Sequence, residues 1–185
     1  RKLLQQKFPD EIFIQAPFRH LPSYDVDMAW SYKHKGWWRN LGGISKTLLQ
    51  GNIAAVYDRA KIVLGNTQDP FDVFDDLQSM HKGNTDTPIY FWLLAAMQKG
   101  YDKNIAPHSA ALQRLITRTH QQAQSGIHLS WQASADGRVM ASECDALDNI
   151  LQQSITKNRF HYLNIHLPDT YRRLLQHCPH ITDDY

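Results

Sequence analysis

Pro88-Ile89-Tyr90-Phe91-Trp92-Leu93-Leu94-Ala95 is a continuous apolar run rich in β-branched and aromatic residues. It is too short for a capped, buried helix, so it reads as a strand covered on both faces. Working outward, His20–Tyr24 reads as a short strand that ends in Asp25-Val26-Asp27. Ile127–Trp131 and Arg159–Ile165 read as two more strands. Helical patterns separate them. Ile53, Val56, Tyr57, Ala60, Val63 and Leu64 share one helical face, and Gly65 ends it. Asp69-Pro70 reads as an N-cap with proline at the first helical position, followed by Phe71, Phe74 and Leu77, with Gly83 as the stop. Pro107–Gln122 is a third helix, Ser142 with Asp145 marks the start of a fourth, and Pro168–Gln176 is the last. Apolar strands alternating with amphipathic helices imply an α/β fold of parallel, right-handed βαβ units. In such folds the chemistry sits at the C-terminal ends of the strands, which directs attention to the polar residues there.

The chain has 185 residues, 42% of them hydrophobic and 21% charged, which fits one globular domain spanning residues 1–185 and excludes a disordered or fibrous chain. A net charge of +2 gives no electrostatic ground for a nucleic-acid partner. The longest apolar run, Ile89–Met97, is nine residues, far below a membrane span. Cys144 and Cys178 make no CxxC pair, so they read as two reduced, partly buried thiols. No signal peptide opens the chain, both ends read as truncated, and a bacterial cytoplasm is only slightly favoured as location. Ten histidines raise the expectation of a metal or proton-transfer site.

Asp25 and Asp27, two residues apart at a strand tip, can converge on a metal, or one can bind it while the other acts as base. They read equally well as two solvated carboxylates in a turn. His128 lies in a short strand among apolar neighbours, where a structural imidazole is the commoner outcome. Arg159 and His161 share one strand face because the strand period is two. Lys33-His34-Lys35-Gly36-Trp37-Trp38-Arg39 mixes cations and rings and reads as a lid or a sugar-stacking loop. Tyr101-Asp102-Lys103-Asn104 lies where a substrate loop would follow the second strand. Phosphate-cradling glycine motifs, a GxSxG nucleophile elbow and an HExxH pair are all missing from the sequence.

Taken together, Tyr24-Asp25-Val26-Asp27-Met28-Ala29-Trp30, Tyr101-Asp102-Lys103-Asn104-Ile105, Gly126-Ile127-His128-Leu129-Ser130-Trp131, Arg159-Phe160-His161-Tyr162-Leu163 and Leu167-Pro168-Asp169-Thr170-Tyr171-Arg172 resemble the polysaccharide deacetylase (NodB homology) superfamily. The similarity is greatest to its deacetylase-like members in Bacteroidetes, and it runs from about Ser23 to Tyr185. The resemblance implies a distorted (β/α) barrel, incomplete in this chain. It implies a divalent metal, foremost Zn with Co, Ni or Mn as alternatives, and a carbohydrate substrate. Asp25 would be the base, Asp27 and His128 metal ligands, and Arg159 the group that orients Asp25. The family's second histidine, four residues after the first, is here Gln132, so His161 is expected as the third ligand. Trp30, Trp37, Trp38, Asp102, Asn104 and Trp131 are the expected substrate contacts. The general acid and acetyl pocket come from later motifs that this chain does not reach. The implied reaction is hydrolysis of an N- or O-acetyl group on a sugar. Its rivals are a metal-free carbohydrate-binding relative, favoured by Gln132, and an Asp-x-Asp glycosyltransferase.

Overall fold

The computed structural model describes residues 2–11, 18–34, 51, 53–83, 86–97 and 100–185. Trp37 and Trp38, and with them most of the expected sugar-stacking loop, lie outside the described residues. The described elements are α1 (Lys2–Lys7), β1 (Ser23–Val26), α2 (Ile53–Val63), α3 (Phe74–His81), β2 (Ile89–Leu93), α4 (Ala110–His120), β3 (Gln124–Leu129), α5 (Gly137–Leu151), β4 (Lys157–Phe160), a 3-10 turn (His161–Leu163), α6 (Asp169–His177) and β5 (Asp183–Asp184). The five strands form one sheet in the order β1-β2-β3-β4-β5, and every pair is parallel. Consecutive strands are therefore neighbours throughout, and all five C-terminal ends lie along one edge.

β2 is buried on both faces, as its unbroken apolar run requires. Register separates the two faces. Tyr24, Tyr90, Trp92, Ile127, Leu129 and Phe160 face the helices and form the main core with Leu112, Leu115 and Ile116 of α4 and Met140 and Leu147 of α5. Ser23, Asp25, Phe91, Gly126, His128 and Arg159 occupy the other face. That face is concave. β1 and β4 stand three strand spacings apart, roughly 14 Å along a flat sheet at ~4.8 Å per spacing. Yet the Arg159 guanidinium donates to Asp25 Oδ1 at 2.7 Å and to Ser23 Oγ at 2.9 Å, so the long arginine side chain and a sheet that curls toward this face together bridge the gap. The floor of the hollow is Phe91, with the Arg159 guanidinium 4.5 Å from its ring centroid. A Cβ at position 126 would lie 2.5 Å from the Phe91 ring, so only glycine lets that ring lie flat across β3.

Several local expectations are corrected. β4 ends at Phe160, because Tyr162 adopts a left-handed backbone (φ 56°) that breaks the extended run. His161 thus sits on a turn, and strand alternation does not place it. α5 begins at Gly137, five residues before the expected Ser142 start, because the Asp136 side chain accepts from the amides of Arg138 and Val139. Asp69 is not the cap of α3. Its buried carboxylate accepts from the amides of Ser31, Tyr32, Lys33 and Phe71 and so pins the loop that leaves β1. α2 forms where expected, but Ile53, Tyr57, Val63 and Leu64 are exposed and Ile62 is its buried residue.

Cys144 on α5 and Cys178 at the end of α6 are joined in a disulfide, and both are buried. The expectation of two reduced thiols is overturned. A separation of 34 residues gave no hint that α5 and α6 pack side by side. Closing a loop of that length restricts the unfolded chain by about 3–4 kcal/mol in the chain-entropy picture. Replacing both cysteines by serine should lower the urea-derived unfolding free energy by about that amount. An unchanged midpoint and slope would show that the bridge adds no stability.

Candidate metal centre at the C-terminal edge of the sheet

Three parallel strands deliver side chains to one point above the concave face. Asp25 is the third residue of β1, and Asp27 follows its last residue. His128 is the penultimate residue of β3 and pairs in register with Arg159 on β4. His161 opens the 3-10 turn directly after β4. Asp27, His128 and His161 offer one donor atom each, all within 4.8 Å of one another. His128 Nε2 lies 3.4 Å from Asp27 Oδ1, and His161 Nε2 lies 3.5 Å from Asp27 Oδ2. These separations are at the long limit for hydrogen bonds. Each involves a different oxygen of Asp27, and each is near the ligand–ligand spacing of about 3.3 Å that metal–ligand bonds of ~2.0–2.1 Å give in a tetrahedral site.

Both imidazoles are buried and oriented from behind. His128 Nδ1 donates to the Arg159 carbonyl at 2.9 Å. His161 Nδ1 donates to Asp102 Oδ1 at 3.1 Å. In the neutral form each ring carries its proton on Nδ1 and turns the Nε2 lone pair toward Asp27, the arrangement that metal-ligating histidines use; in the protonated form the same Nε2 donates to Asp27. The group could hold a divalent metal ion: two imidazoles and one carboxylate leave further coordination positions open. Without an ion the three groups interact directly. Hydrogen bonding from His128 first, then from His161, holds the Asp27 carboxyl well below the usual carboxylate range. Burial disfavours the charged form of His161, but the Asp27 and Asp102 carboxylates outweigh it and raise the imidazole above its ordinary value.

Asp25 sits beside this group. Its Oδ1 is held by Arg159, and its Oδ2 lies 3.9 Å from His128 Nε2. The Asp25 and Asp27 side chains keep 39% and 49% of their surface open to solvent, so a ligand can reach both.

The expected substrate contacts fare differently. Trp30 is buried in the core, with its ring against His34. Asn104 is buried, and its Nδ2 donates to the carbonyls of Ala95 and Ile105. Asp102 is only 1% exposed and turns inward. These three side chains are engaged inside the protein, and the assignment of substrate contact to them is corrected. Trp131 keeps an exposed side beside Tyr101 and Tyr162, next to His161.

Sequence reading missed how the β3 exit is held. Glu143 Oε2 accepts from the Ser130 amide at 2.9 Å, and Asp102 Oδ1 accepts from the next amide, that of Trp131, at 2.8 Å. Asn164 Nδ2 then donates to the Trp131 carbonyl and to Ser134 Oγ, latching the β4 exit to the β3 exit. The one available sign was a glutamate at a buried helical position of α5, on the same face as Met140 and Leu147.

The chain matches no family model, no curated protein and no solved structure. Among the described residues no helix is long and apolar enough to cross a membrane.

Burial pushes the Glu143 carboxyl up to about 7, against the opposing bonds from Ser130. Between its ordinary value of 4.5 and about 7, the folded chain keeps a proton that the unfolded chain releases. This group's contribution to stability therefore declines as pH rises through that window. Glu143→Gln should remove the decline. In urea titrations at pH 5 and pH 7.5, wild type should lose about 2 kcal/mol more than the variant between the two pH values. Equal losses would show that Glu143 does not titrate there.

Proposed function

We propose that the chain is a metal-dependent hydrolase that removes an acetyl group from a sugar or polysaccharide, on a (β/α) barrel of the polysaccharide deacetylase type. The observation that carries this reading is the placement of Asp25. It is a solvent-accessible carboxylate fixed by Arg159 at 2.7 Å, beside a cluster of one aspartate and two histidines able to hold a metal. The parallel sheet in sequential order, curled so that β4 reaches β1, supports the barrel. His161 offers a third donor in place of the histidine that Gln132 replaces, which supports the metal-dependent reading over the metal-free relative.

Asp27, His128 and His161 would hold the ion, foremost Zn²⁺ with Co²⁺, Ni²⁺ or Mn²⁺ as alternatives on this donor set. When bound, such an ion polarises an acyl carbonyl and makes a water acidic. Asp25 would accept the proton of the attacking water through Oδ2, the oxygen not bonded to Arg159, and return it to the departing amine nitrogen or hydroxyl oxygen as the bond to the acetyl carbon breaks. Arg159 holds the carboxylate in position and favours its charged form through the transfer. Phe91, beneath the guanidinium, keeps that cation from swinging away. Trp131 offers an apolar face on which a sugar ring can rest.

The test combines metal content with acetate release from N-acetylated chitotetraose and O-acetylated xylotetraose. Zn-reconstituted wild type should carry about one ion per chain, and an Asp27→Ala, His128→Ala double variant none. Asp25→Asn should keep the ion yet lose roughly 10²–10⁴-fold in turnover. Full activity in Asp25→Asn would remove the assigned base. Loaded wild type that releases no acetate from either oligomer would remove the deacetylase reading.

A further inference from the structure

His161 is an unlikely residue to find at a metal centre, because nothing in β4 aims it there. The strand has already ended, and the next two residues, Tyr162 (φ 56°) and Leu163 (φ 50°), are left-handed without being glycine. Each such residue costs roughly 1 kcal/mol or more, so the turn persists only if its surroundings hold it. Asp102 is the group that grips the imidazole itself. It comes from the loop after β2, a different strand from either histidine, and it is buried to 1% exposure. A carboxylate so deep is costly unless its oxygens are satisfied. Here Oδ1 accepts from the Trp131 amide at 2.8 Å and from His161 Nδ1 at 3.1 Å. Oδ2 accepts from Gln132 Nε2 at 3.3 Å, and the same amide nitrogen reaches the Met97 carbonyl at 3.3 Å. Gln132 therefore braces the far side of the carboxylate.

We infer that Asp102, braced by Gln132 and the Trp131 amide, is the positioning residue that delivers His161 as the third metal ligand. The inference rests on the metal centre proposed above. It adds that the centre is assembled through a hydrogen-bonded line from Gln132 through Asp102 to His161. Asp102 is buried behind His161 and lies outside the Asp27–His128–His161 group. It fixes the proton on Nδ1, keeps Nε2 toward Asp27, and makes the imidazole a better donor through its charge. Gln132 suits this place because its amide donates to a carboxylate that already receives two other donors.

The line can be tested on the full chain by Zn²⁺ titration calorimetry and by the visible spectrum of the Co²⁺-loaded protein. Asp102→Asn should weaken Zn²⁺ binding 10–100-fold and shift the Co²⁺ bands. Asp102→Asn combined with Gln132→Glu reverses the donor and acceptor of the bracing bond, restoring it while moving the charge away from His161. This double variant should recover the apo melting temperature but not the Zn²⁺ affinity. Wild-type affinity in Asp102→Asn, or affinity that returns with stability in the double variant, would overturn the inference and leave the metal centre intact. A wild-type chain that binds no Zn²⁺ would overturn the centre and the inference together. His161→Ala binding as tightly as wild type would overturn the inference and remove His161 from the centre, leaving Asp27 and His128 as its ligands.

Discussion

The bond from Arg159 on β4 to Asp25 on β1 is made by a long side chain across a sheet that curls toward it. Everything at the C-terminal edge depends on that curl. Curling brings the exits of β1, β3 and β4 toward one point, so that Asp27, His128 and His161 meet. It also needs a thin place in the sheet where the Phe91 ring can lie under the guanidinium. Gly126 provides that place, since any side chain would strike the ring. The concave face thus has an apolar floor and a charged rim.

A parallel sheet leaves its strand exits as loops, and loops hold functional groups only when something rigid backs them. Here the backing is two buried carboxylates from different elements, Glu143 on α5 and Asp102 after β2, which take consecutive amides of the β3 exit. Asn164 carries the same support over to the β4 exit. Asp69 does the equivalent for the loop after β1, with four backbone amides on one carboxylate. Buried acids with backbone donors are a recurring device in this chain. They satisfy amides that no strand or helix partner reaches.

The disulfide and the main core serve the opposite side of the sheet. Cys144–Cys178 ties α5 to α6, and Arg173 on α6 donates to the Ser134 carbonyl at 2.9 Å. Helix packing on the convex face is therefore mechanically joined to the turn that carries the site.

The amino-acid sequence by itself determined the order and type of β1 to β4 and α2 to α6, but not α1, β5 or the turn at His161–Leu163. The run at Ile89–Leu93, the helical stripe in Ala110–His120 and the breaks at glycine and proline are local signals, and the α/β alternation follows from them. It also placed Asp25 and Asp27 at the end of a strand, whereas His128 and Arg159 read as the second and first residues of theirs; β3 ends at Leu129 and β4 at Phe160, which sets both at strand exits. Only the tertiary structure decided the rest. His161 reaches the centre through a left-handed turn that strand alternation does not describe. Asp102 reads as a loop residue open to a ligand until burial turns it inward onto His161. Cys144 and Cys178, Glu143 and Ser130, and Asp69 and Ser31 are pairs distant in sequence. Their meeting depends on how whole elements pack and on how far the sheet curls, quantities that no window of neighbouring residues contains.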